Sequence, residues 1–65
     1  MDIQEIIKRI KRIKEKAGDS EVAHGIEDTL YLDVLEAIAA GAENAKELAT
    51  EALKAKSIAF ERWYA

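Results

Sequence analysis

The chain has 65 residues and a net charge of −3, with 49% hydrophobic and 35% charged residues, no cysteine, no proline and one histidine. This length allows one domain, in which folding hides only about 60% of the unfolded surface. Without cysteine there are no disulfides or thiolate metal sites, a single histidine excludes a histidine-rich zinc site within one chain, and no apolar run approaches the roughly 20 residues that span a bilayer.

Alanine, leucine, isoleucine, glutamate and lysine dominate, and only Gly18, Gly25 and Gly41 interrupt them. The composition predicts an all-α fold. The first helix is expected over residues 2–17. Ile3, Ile6, Ile10 and Ile13 recur at steps of three and four, Ala17 continues the series, and Ile7 widens the stripe. This is the a/d spacing of a coiled-coil seam, and it marks these five isoleucines as self-association residues. Asp2 and Glu5 form a capping-box pattern, and Gly18 suits a left-handed stop. Lys8, Arg9, Lys11, Arg12 and Lys14 make the back of the helix basic. Residues 1–17 hold six basic and three acidic side chains, whereas residues 19–65 hold four and ten. The basic helix can therefore dock on the acidic remainder, in its own chain or in a neighbour.

The second helix is expected over residues 19–40, capped by Asp19 or Ser20 and stopped before Gly41. Its apolar face is Val22, Ala23, Ile26, Leu30, Val34, Ala37 and Ile38, extended sideways by Tyr31 and Leu35. Leu32 points elsewhere and implies a second apolar surface. Gly25 inside this helix either admits a close backbone or permits a bend. The third helix is expected over residues 44–56, with Asn44 and Glu47 as a cap pair. Ala45, Leu48, Ala49, Ala52, Leu53, Ala59, Phe60 and Trp63 fall on one side. A break is expected near Lys56–Ser57, with a short helical or irregular tail over residues 57–64.

His24, Glu27 and Asp28 share one side of the second helix, and Tyr31 is one step further along. A carboxylate–histidine pair can ligate metal or serve acid–base chemistry, but this order reverses the Glu-x-x-His of di-iron bundles, and a metal site would need a second chain. The chain holds no Ser/His/Asp arrangement, no phosphate-cradling glycine loop and no HExxH. It reads as a non-enzyme without a cofactor. His24, Glu27, Asp28, Tyr31 and Arg62 are candidate partner-binding residues, with Arg62 also placed to reach Glu27 or Asp28. Trp, Tyr and Arg, the types that close the chain, are enriched in binding hot spots.

From Glu21 onward the chain resembles a type of small helical protein found in bacterial and phage genomes. The likeness is carried by Ala23-His24, Glu27-Asp28, Leu30-Tyr31, Val34-Leu35, Ile38-Ala39 with Gly41, Ala52-Leu53-Lys54, and Ile58 and Phe60 with Arg62-Trp63-Tyr64-Ala65. It implies no particular activity. It does imply that His24, Glu27, Asp28 and Arg62 are more than incidental surface residues. The first helix lies outside the resemblance, and its regular pattern looks like a generic coiled-coil segment or a designed one.

The expectation is one domain over residues 1–65. It is a three-helix bundle, or a helical hairpin with an added N-terminal coiled-coil-like helix, associated into a homo-oligomer. The expected function is a non-enzymatic self-associating or protein-binding module. The alternatives are a nucleic-acid-associated regulator using the basic helix and a designed helical assembly. Membrane insertion is disfavoured because the basic helix lacks Trp and Phe. The charged N-terminus lacks the apolar core of a signal peptide, which suggests a cytoplasmic protein.

Overall fold

The first helix starts because Asp2 is held in extended backbone while its side chain accepts the Glu5 N–H at 2.9 Å. This is half of a capping box. The Glu5 carboxylate turns away from Asp2 and accepts instead from Arg9. The computed structural model describes residues 1–62, and the roles expected of Trp63 and Tyr64 lie outside the described residues. Within them are α1 (Ile3–Glu15), α2 (Ser20–Ala39) and α3 (Ala45–Leu53), followed by a 3-10 turn over Lys54–Ser57. No strand occurs among the described residues. The all-α expectation holds.

The helix ends are set by different devices. Gly18 is not left-handed, contrary to expectation. α1 unwinds at Lys16, whose N–H is shared between the Arg12 and Ile13 carbonyls, and Asp19 then caps α2 by accepting the Val22 N–H. α2 ends in a Schellman motif: the Ala42 N–H donates to Ala37, the Gly41 N–H to Ile38, and Gly41 takes φ 94°. Asn44 precedes α3 but its side chain makes no capping hydrogen bond, so the expected Asn44/Glu47 cap pair does not form.

All three helices enclose one core. α1 packs against α2, α3 and the 3-10 turn, and α2 packs against α3. The core is Ile6, Ile10 and Ile13 from α1, Ala23, Leu30 and Val34 from α2, Leu48 and Ala52 from α3, and Ala55 from the turn. The buried line of α2 is Ala23, Glu27, Leu30 and Val34; three of the four belong to the expected face, and Ile26, Ala37 and Ile38 of that face pack against the core. Val22 is exposed, and Glu27 is on the core side.

α3 ends at Leu53, three residues before the expected break. Tightening to a 3-10 turn rotates Ala55 into the core and leaves Leu53 outside. Residues 58–62 continue without regular structure, so within the described residues the tail is irregular rather than helical.

Gly25 does not admit a close backbone. The helix runs unbroken through it, and a Cβ built there would meet nothing within 4 Å.

Two outcomes follow for stability, read by urea unfolding monitored by circular dichroism. Ile13→Ala empties a fully buried site and should cost about 2–5 kcal/mol, comparable to the whole stability of a domain this size. Gly25→Ala should stabilise by about 1 kcal/mol, because the helix gains propensity and loses no packing. A neutral Ile13→Ala would contradict the core described above.

Candidate functional site

An ion pair fastens the described part of the C-terminal segment to α2. Glu27 sits at 2% exposure in the middle of the buried line of α2. Its two oxygens accept from Arg62: Nε donates to Oε1 at 2.9 Å and Nη2 to Oε2 at 2.8 Å. This is the two-pronged guanidinium–carboxylate geometry that a lysine cannot reproduce. Nη2 also donates to the Ala55 carbonyl at 3.1 Å and Nη1 to the Phe60 carbonyl at 3.3 Å. The guanidinium carbon stands 3.9 Å from the Phe60 ring centre. One side chain thus ties the tail, the 3-10 turn and α2 together.

Of the expected partner-binding residues, the structure brings Glu27 and Arg62 together, but as a buried fastening with both carboxylate oxygens engaged. His24 Nε2 lies 3.4 Å from Asp28 Oδ1, one turn along α2. Asp28 is largely exposed and His24 largely covered. Tyr31, one turn further along α2, is half-buried and lines a furrow between α2 and α3. Among the described residues no group of three or more His, Asp or Glu side chains is gathered as a metal site requires.

The expected basic patch is divided. Arg9 turns inward, where it bridges Glu5 on its own helix and Asp33 on α2. Hydrogen bonding to Asp33 is the main cause that raises its pKa further above the usual arginine range, partial burial opposing it. A raised folded-state value means that the protonation of Arg9 contributes stability below its unfolded value, and that this contribution is lost as pH rises through the folded value. Lys8, Lys11, Arg12 and Lys14 remain exposed. Of the expected self-association stripe, Ile6, Ile10 and Ile13 are covered by the chain's own helices, Ile3 is half-buried and Ile7 is exposed.

The accessible apolar surface lies elsewhere. α2 and α3 leave between them a furrow of about 520 Å³, lined by Val34, Leu35 and Ile38 on one wall and Ala49 and Leu53 on the other. Tyr31 and Lys56 complete it. Leu35 is 64% exposed and Leu53 53%. Leu32, whose off-face position implies a second apolar surface, is 55% exposed but is not among the lining residues. Leu35 and Leu53 do not announce themselves, because each lies beside a genuine core line and its hydrophobicity alone reads as core. No helix among the described residues is long and apolar enough to cross a membrane.

The fastening is open to a direct test. Arg62→Ala leaves Glu27 buried without its partner and should cost about 3–5 kcal/mol in urea unfolding. The double change Glu27→Leu with Arg62→Leu should recover much of that loss, because it removes the charge together with its partner. Equal losses in the single and double variants would show that the pair is not what matters at this site.

No known family model, curated protein or solved structure matches the chain. Function therefore rests on the chain's own geometry.

Proposed function

We propose that this is a non-enzymatic helical module that works by contact with another polypeptide, through the furrow between α2 and α3. The observation that carries the reading is an apolar surface that folding leaves open. A chain this short has every reason to bury its leucines, yet Leu35 and Leu53 stand mostly exposed on the two walls of one furrow while Ala23, Ala52 and Ala55 take core positions. Clustered exposed leucines rimmed by charge mark contact surfaces in small soluble domains. The wall of α3 is shallow at Ala49, so a helix of another chain can come near.

The rival reading, nucleic-acid contact through α1, is supported by the exposure of Lys8, Lys11, Arg12 and Lys14 on one helix. It is weakened by the inward commitment of Arg9 and by the acidic balance of the whole chain.

A photo-cross-linking residue placed at Leu35, and in a separate variant at Arg12, discriminates the two in cells that make the protein. The module reading expects a protein adduct of defined mass from position 35, lost when Leu53→Asp is added, and no adduct from position 12. Nucleic acid captured at position 12, with nothing captured at position 35, would overturn it in favour of the rival.

A further inference from the structure

We infer that the occupant of the furrow is a second copy of this chain, packed so that α2 of each copy lies over α3 of the other. The inference rests on the module reading above and adds the partner and the arrangement.

Charged residues stand on the lines that flank the furrow. On α2, Asp28, Leu32, Leu35 and Ala39 recur at steps of four, three and four. On α3 and its turn, Lys46, Ala49, Leu53 and Lys56 recur at steps of three, four and three. All three charged residues are exposed. The α2 line therefore carries an acid and the α3 line two bases, so the chain carries a complement to itself.

The levels of these charges matter as much as their signs. α2 and α3 are joined by a short turn through Gly41 and lie against each other. Arg62 touches both Glu27 and Ala55, which sets the end of α3 beside the first half of α2. Asp28 and Lys56, the next residues in each case, thus stand at one end of the furrow. Lys46 stands toward the other.

A closed pair of identical chains has a two-fold axis, so each contact occurs twice. An axis along the furrow puts α2 over the second copy's α3 and keeps the levels. Asp28 then faces the second copy's Lys56. An axis across the furrow puts α3 over the second copy's α3 with the levels reversed and sets Lys56 toward Lys46, base against base. The charges select the first arrangement. Leu35 and Leu53 fall at the middle in either case and supply the apolar contact.

Sedimentation equilibrium of the full chain from micromolar to millimolar concentration tests this, with circular dichroism confirming helicity in every variant. The wild type should be a reversible dimer. Leu35→Asp should be a folded monomer, since its side chain is already exposed. Lys56→Glu and Asp28→Lys should each weaken the dimer about tenfold, because symmetry counts each change twice. Their combination should restore wild-type association. A double variant as weak as the singles would overturn the arrangement. A wild type that stays monomeric throughout would overturn the second copy as occupant. The module reading would survive that result if a foreign protein were still captured at position 35, and would fall with it if nothing were captured there.

Discussion

A short chain without cysteine has to close its core by apolar contact alone, and Ile6, Ile10 and Ile13 are where this one does so. They form a narrow seam on α1 that touches α2, α3 and the 3-10 turn at once. Branched side chains suit that position. Each is stiff and bulky, so three of them fill the space left by the small residues opposite, Ala23, Ala52 and Ala55. Large on one side and small on the others is what lets three helices approach around so few residues. The alanines on α3 have little apolar surface of their own, and they do their part only because α1 brings the volume.

Two polar fastenings then orient what the isoleucines hold. Arg9 crosses from α1 to Asp33, and Arg62 crosses from the tail to Glu27. They differ in kind. Arg9 lies at the margin of the α1–α2 contact, where solvent screens its charges and the gain is small. Glu27 lies within the core line of α2, where an unmatched charge would be costly, so its pairing specifies the path of the tail. The early end of α3 belongs to the same arrangement. The 3-10 turn that brings Ala55 inward also presents its carbonyl to Arg62.

Much of the fold is legible in the sequence. The three helices, the caps at Asp2 and Asp19 and the glycine stop at Gly41 follow from local rules that tertiary contacts do not override. The core line of α2 is legible at Ala23, Leu30 and Val34 but not at Glu27, because a charged side chain does not read as core. Only the presence of Arg62, thirty-five residues away, makes a glutamate acceptable there. Glu27 and Arg62 read as candidates for partner binding, and the other contact open to them in the sequence, Arg62 reaching Glu27, is the one the structure shows. The exposed leucines are illegible for another reason: periodicity separates apolar from polar faces, but it does not say which of two apolar faces the chain covers first. The isoleucine stripe looks like a surface for another copy, yet a single chain already covers most of it.

This division of labour, with α1 closing the core inside one chain and the α2–α3 furrow left for contact, is most directly tested by amide hydrogen exchange of α1 at high and very low protein concentration. The account predicts that the amides of Ile6, Ile10 and Ile13 stay as strongly protected at high dilution as those of Leu30 and Leu48. Loss of α1 protection on dilution, with α2 and α3 still folded, would contradict it, because the isoleucines would then be held by another copy and not by their own chain.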